Sequence, residues 1–301
     1  MIDEMGGDFL QWLRGFYFVA KHESVTQASF EMRRNQPTIS HQIKCLEKEF
    51  GVTLFDRSKG KMALTPEGNM FLEKVISIFE IIKELKSEIS ETPLQEKGEI
   101  TIATTHAIIH YFLPDFITAY RKQYPNVYFK IMGGGLEMIL DGVESAAADF
   151  GIASLNEVGE TMSYYEIFST RPILVAQKKN PYFHRAPTLK QIAEAPFISF
   201  PQSSTITTLI KNRFRKEKLD LNVILVLNNF EDVKKYVGMG VGVSILDDYT
   251  ITDADRDKLD IYKMDRFFKE RKYGLIIRAK KYLSPHVKAF IRTIKPDIQI
   301  R

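Results

Sequence analysis

The side chains best placed to do chemistry in this chain are binding groups rather than a reaction centre. Between Gln36 and Phe50, the polar residues Gln36, Thr38, Ser40, His41 and Lys44 alternate with Ile39, Ile43, Leu46 and Phe50 at helical spacing. One face of the helix is therefore polar and the other apolar, with Cys45 expected to pack inward. Side chains of that polar kind suit base edges and phosphates when a helix enters the major groove N-terminus first. Asn35 can cap this helix, and Pro37 fits its first turn. Downstream, Arg57, Lys59 and Lys61 lie in a polar, basic turn suited to the phosphate backbone, or to solvent alone. A second polar set follows strand-like runs: Thr104, Thr105 and His106, then Ser154, then Ser203, Ser204 and Thr205. Hydroxyls beside free helix N-terminal amides favour an anion, without need of an arginine, although each group can also serve as a simple cap. No catalytic residue is expected, because no Gly-x-Ser-x-Gly elbow or phosphate loop frames Ser154 and His106. No metal site is expected either, since His106 and His110 have no obvious further ligands.

The elements that must hold these groups fall into zones. Residues 8–65 read as short helices: Phe9–His22, one capped by Ser24 and running to Met32, and Gln36–Phe50 ending at Gly51. Thr65-Pro66-Glu67 starts a long helix that Pro93 stops. Within it Phe71, Val75, Ile78, Ile82, Leu85 and Ile89 follow steps of four and three, a coiled-coil seam expected to pair two copies of the chain. Residues 93–98 read as a hinge. From Glu99 onward strand, helix, strand, helix, strand predicts parallel α/β sheets. The first unit has strands at Glu99–Thr104, Val127–Met132 and Asp149–Ser154, with a helix from Ile108 to Gln123 and another around Leu136–Ala147. A second such unit begins at Ile173.

Whole-chain properties set bounds. The chain has 301 residues, 44% hydrophobic content and a net charge of +4, ample for several packed domains but too weakly basic to argue nucleic-acid binding alone. A single cysteine rules out an internal disulfide and suits a reducing compartment. The first residues lack the basic start and apolar core of a secretory signal, so a cytoplasmic location without membrane contact is expected.

Ala28, Asn35-Gln36-Pro37, Ser40, Ile43, Leu46-Glu47, Gly51, Leu54-Phe55, Arg57 and Leu64-Thr65-Pro66-Glu67-Gly68 together resemble the helix-turn-helix signature of LysR-type transcriptional regulators. Asp141-Gly142-Val143-Glu144, Asp149–Ala153, Pro196-Phe197 and Val237–Leu246 resemble the effector domain of the same family. The resemblance implies a winged helix-turn-helix (1–65), a dimerisation linker helix (66–92) and the hinge (93–98). It further implies a two-lobed, periplasmic-binding-protein-like α/β domain, with lobe I at 99–171 and 273–301 and lobe II at 172–272. It implies double-stranded DNA, a small-molecule effector and further copies of the chain (homodimer or homotetramer) as partners, with RNA polymerase a candidate. Within the family, Thr104-Thr105-His106, Asp232-Val233-Lys234, Tyr236-Val237 and the tail from Arg271 to Ile291 are most similar to the cysteine-biosynthesis (CysB-type) subgroup. There hydroxyl residues hold a sulfate-like anion, and Thr105, Ser154 and Thr205 stand at the matching positions. Ala107-Ile108 replace further polar ligands, which points to an anion or carboxylate with an apolar portion. No cofactor beyond such an effector is expected. The alternative is a solute-binding protein without a transcriptional role, which leaves residues 8–65 unexplained.

Overall fold

The computed structural model describes residues 8–56, 62–89, 97–155, 159–183, 185–279 and 281–299, with backbone alone at 83, 84 and 86–89. The chain forms two compact units, residues 1–91 and 92–301.

The first unit contains α1 (Phe9–His22), α2 (Val25–Met32), α3 (Gln36–Phe50), the strands β1 (Phe55–Asp56) and β2 (Ala63–Leu64), and α4 (Pro66–Ile89). The helix starts follow from local capping. Ser24 Oγ accepts from the Gln27 amide at 3.3 Å, and Asn35 Oδ1 accepts from the Thr38 amide at 2.9 Å. Thr65 Oγ1 accepts from the Gly68 amide at 2.9 Å. Gly51 ends α3 with φ +65°, a left-handed turn that costs glycine nothing. Leu13, Phe16, Val19, Ile39, Ile43, Leu46 and Leu54 form the core, each burial stabilising by about 1.5–3 kcal/mol. β1 and β2 pair antiparallel, Phe55 opposite Leu64, and make the base of a wing. The wing tip with Arg57, Lys59 and Lys61 lies outside the described residues, as does Pro93 and the hinge up to residue 96.

Three expectations in this unit need correction. Phe50 is 47% exposed rather than buried, because it sits at the rim, where its ring meets Phe9 and Phe71. Cys45 is half-buried, its Sγ 3.6 Å from His41 Nδ1. The α4 seam does not run along one free face. Val75 is fully buried in the core of its own unit and Phe71 packs on Phe16, because this first part of the helix closes the helical domain. Ile78 also packs against that core and Ile82 is half-buried, while Met70, Ile81 and Leu85 are exposed. The Ile89 side chain lies outside the described residues.

The second unit opens with β3 (Gly98–Thr104), α5 (His106–Tyr111), α6 (Leu113–Gln123), β4 (Val127–Gly133), α7 (Leu136–Glu144), β5 (Phe150–Ser154) and β6 (Met162–Thr170). It continues through β7 (Pro172–Gln177), α8 (Leu189–Glu194), β8 (Phe197–Ser199), α9 (Thr205–Lys216), β9 (Val223–Val226), α10 (Phe230–Gly238) and β10 (Ser244–Asp247). A 3₁₀ turn (Asp248–Thr250) follows, then α11 (Asp253–Arg256), β11 (Leu259–Lys263), β12 (Arg271–Arg278) and α12 (Pro285–Ile294).

The expected single helix to Gln123 is broken at Phe112, because Pro114 lacks the N–H that a continuous helix needs and instead opens α6. The sheets are mixed rather than parallel. In the order β4-β3-β5-β12-β6, β3 runs parallel to β4 and β5, but β12 is antiparallel to β5 and β6. In the order β10-β7-β11, both neighbours of β7 are antiparallel. β8 and β9 pair in parallel, and β8 joins the end of β10 through Ile198 N–H to Val243 O at 2.8 Å. Each half has its own apolar core, one around Ile100, Phe150, Leu275 and Phe290, the other around Leu174, Phe197, Val237 and Ile245.

The chain passes between the halves twice, from β6 to β7 and from β11 to β12. Two neighbouring carboxylates tie both passages. Asp248 accepts from Thr170 Oγ1 at 2.5 Å and from the Arg171 amide at 3.2 Å. Asp247 is ion-paired with Arg271.

Candidate functional site

The polar face of α3 is built as its spacing predicts. Gln36, Pro37, His41 and Lys44 are exposed and Thr38 and Ser40 half-buried, while Ile39, Ile43 and Leu46 beneath them are fully buried. The buried side fixes the helix, so the outer side chains are presented from a rigid support. Asn35 holds the first turn with one oxygen, which accepts from both the Thr38 amide at 2.9 Å and the Thr38 hydroxyl at 2.5 Å. Sequence reasoning passed over Arg33 and Arg34, both exposed immediately before that cap. Arg33 ends α2 in the left-handed region (φ 52°), so the turn places two guanidinium-bearing residues beside the start of α3. Two consecutive arginines ahead of a capping asparagine were the available signal.

In the second unit, a cavity of about 220 Å³ gathers the ends of several elements. Of the second polar set, Thr105, His106, Ser203, Ser204 and Thr205 line it, with Ala107. Thr105 caps α5, its Oγ1 accepting from the Ile108 amide at 3.4 Å. Ser204 precedes α9 with no side-chain capping bond, which leaves its hydroxyl free for other use. Two expected members lie elsewhere. Thr104 is fully buried and donates its hydroxyl to Ile152 O at 2.7 Å, so it holds strands together. Ser154 sits at the end of β5 opposite Tyr273 and is not part of the cavity lining. Ile108 likewise belongs to the core and not to the lining.

The cavity also contains what the polar strand ends did not announce. Arg271 and Asp247 line it, and so does Tyr273. Arg271 Nη1 donates to Asp247 Oδ2, and Nη2 donates to Thr205 Oγ1 at 2.7 Å. Tyr273 donates its hydroxyl to Asp247 Oδ2 at 3.2 Å. Asp247 is 0% exposed, and its Oδ1 has no hydrogen-bond partner among the described residues. Burial pushes the Asp247 carboxyl above its ordinary range, against the pull of Arg271 and Tyr273. Burial opposes the Arg271 charge, but Asp247, with Tyr273 and Tyr249, holds its pKa still higher than usual. The expectation of an anion site without arginine is thus corrected: a guanidinium lies at the cavity, already engaged by a carboxylate. The glycine run after β4 is the other missed feature. Gly134 and Gly135 line the cavity, and a Cβ on Gly135 would come within 3.5 Å of Ser203 Cβ. Among the described residues no group of acidic, histidine or cysteine side chains is arranged to hold a metal ion, and no helix is long and apolar enough to cross a membrane.

Comparisons with known proteins agree with this arrangement. Residues 10–69 match the model of the bacterial regulatory helix-turn-helix protein, lysR family, and residues 94–299 match that of the LysR substrate binding domain. The HTH-type transcriptional regulator CysB of Burkholderia cenocepacia is 27% identical over 285 residues, covering 93% of this chain and 90% of that protein. Full-length OxyR of Pseudomonas aeruginosa, solved as a variant, has a TM-score of 0.72 at 17% identity, covering 95% of this chain and 92% of the other. Full-length CbnR, solved with its target DNA, has a TM-score of 0.58 at 18% identity, covering 96% and 99%. One family model describes the helix-turn-helix and the other the substrate-binding domain that follows it, and the chain belongs to the LysR family of DNA-binding transcriptional regulators with an effector-binding domain.

Proposed function

We propose that α3 is the recognition helix, with Gln36, Thr38, Ser40 and His41 toward base edges and Asn35, Pro37 and Lys44 at the groove. Arg33 and Arg34 add phosphate contacts, as do Arg57, Lys59 and Lys61 of the wing. The observation that carries this is the exposure of Gln36, His41 and Lys44 over the sealed Ile39–Ile43–Leu46 face. The test starts from a duplex selected by the protein from a randomised pool. Gln36→Ala and Thr38→Ala should each weaken that duplex by about 1–3 kcal/mol and relax preference at one base pair. Lys44→Ala should weaken all duplexes alike and reduce salt dependence. Unchanged preference in both of the first two variants would sink the assignment.

The cavity is the effector site, and its occupant is a small molecule carrying an anionic group. Residues 1–65 form the DNA-binding domain, 66–92 the dimerisation helix, 93–98 the hinge, and 99–171 with 273–301 and 172–272 the two lobes. The chain works as a homodimer or homotetramer and touches RNA polymerase at the promoter. Similarity to CysB supports a role in sulfur or cysteine metabolism.

A further inference from the structure

The occupant of the cavity can be described more closely from its polar atoms. Two sets of polar groups are left for a ligand. The first is at the start of α9. The Thr207 and Thr208 amides donate to Ser204 O, which leaves the Thr205 and Ile206 amides without an intrahelical carbonyl. Thr205 Oγ1 accepts from Arg271 Nη2, so the hydroxyl's own proton is left to donate. Ser204 makes no side-chain cap bond, and Ser203 is exposed beside it. All of these are donors, and the helix dipole adds a positive potential, so this end takes an anionic oxygen group.

The second set is opposite in character. Asp247 Oδ1 is buried, belongs to a residue lining the same cavity, and has no partner among the described residues. Native structures rarely leave a buried carboxylate oxygen unused, and the exceptions call for an explanation such as a bound group. An acceptor in this position requires a donor, and a positively charged donor best.

The third consideration is net charge. Arg271 and Asp247 are the charged lysine, arginine, aspartate and glutamate side chains of the lining, and they neutralise each other. A bare anion would therefore meet no uncompensated guanidinium, and it would leave Asp247 Oδ1 as it is. A molecule with both a negative and a positive end would use both sets. The remaining wall is apolar, with Phe200 and Phe230 in ring contact at 4.5 Å and Ala107 and Leu136 nearby, which suits a short carbon side chain.

We propose that the cavity binds a small zwitterion of the amino-acid class, with its carboxylate at the start of α9 and its ammonium on Asp247 Oδ1. This rests on the cavity being the effector site and names the class of its ligand. The volume of about 220 Å³ lies below the usual range for drug-sized ligands, roughly 300–1,000 Å³, and limits the ligand to a compact molecule.

The test is calorimetry on the full-length protein with the twenty protein amino acids as probes. Any amino acid that binds is then compared with its des-amino analogue, which has hydrogen in place of the ammonium, and with inorganic sulfate. The expected result is that at least one amino acid binds and its des-amino analogue binds at least tenfold more weakly. Thr205→Val should weaken the amino acid at least fivefold. Asp247→Asn should weaken the amino acid but not sulfate, with circular dichroism confirming that the variant folds. Should Asp247→Asn fail to fold, the analogue comparison on the unaltered protein decides alone. Equal affinity for an amino acid and its des-amino analogue overturns the zwitterion. So does binding of sulfate or a plain carboxylate with no amino acid bound; if Thr205→Val weakens that binding, the cavity remains the effector site. Binding of any probe that is indifferent to Thr205→Val overturns both readings. Silence from every probe overturns the zwitterion.

Discussion

Asn35 uses a single oxygen for two bonds, and the start of α3 depends on it. With the Thr38 amide at 2.9 Å and the Thr38 hydroxyl at 2.5 Å, it caps the helix and also fixes the rotamer of a side chain on the polar face. Asn35→Ala should cost about 1 kcal/mol of stability, seen as a lower urea midpoint with unchanged slope, and it should also reduce DNA affinity. Asn35→Ser should restore most of the stability. A loss of stability without any loss of affinity would separate the cap from the Thr38 orientation. Caps of this kind were legible from sequence because their partners are three residues away. Asn35 and Ser24 each mark a helix start by local chemistry, and α3 and α2 begin where that chemistry puts them. Arg271 and Asp247 were not legible. They are 24 residues apart, in two different sheets, and nothing in the sequence pairs one with the other; only the folded chain brings them together.

Among the elements, α5 and α10 are joined across the cleft by a compact polar cluster. Tyr111 on α5 donates its hydroxyl to Glu231 on α10, and Lys234 lies 5.0 Å from the Tyr111 ring centre. Lys234 is 3% exposed and bonds to Glu231 at 2.9 Å, Asp255 Oδ2 at 2.6 Å and Thr250 O at 3.0 Å. Burial pushes the Asp255 carboxyl up, but Lys234 and the Thr252 amide and hydroxyl outweigh it and hold the carboxyl below its ordinary value. Glu231 is held down likewise, by Tyr111 and Lys234 against burial. A depressed folded-state pKa means that the stability is fully present above the ordinary carboxylate range near pH ~4 and is lost as pH falls through it. Lys234→Met should destabilise the second unit by about 3 kcal/mol at neutral pH, because it strands Asp255 half-covered. The variant should also lose less further stability than the parent between about pH 5 and 3, as read from denaturant midpoints across that range. A parallel acid limb in both proteins would rule the cluster out. The expectations drawn from sequence contain neither α11 nor β6. The 3.6-residue repeat of α10 is self-contained, whereas β6 is half-buried along its length and acquires its place only by pairing with β12, over a hundred positions later.

For the whole molecule, the exposed apolar side chains of α4 bear on assembly. Ile81 is 62% exposed and Leu85 51%, beyond the stretch that Phe71 and Val75 commit to their own domain. Ile81→Glu with Leu85→Glu should turn a dimer into monomers in sedimentation at micromolar concentration. It should lower affinity for a two-half-site duplex far more than for a single half-site, since two recognition helices one DNA turn apart bind as a pair. A wild-type monomer at that concentration would refute the pairing. The two adjacent carboxylates described between the halves of the effector domain have a mechanical consequence. Asp248 is fastened to one connecting strand and Asp247 to the other, so any turn of one half against the other would pivot near this pair. A ligand seated on Asp247 would therefore act close to that pivot. Should one half turn against the other there, the parts of each half farthest from the pair would travel the longest path, as the long arms of a lever do.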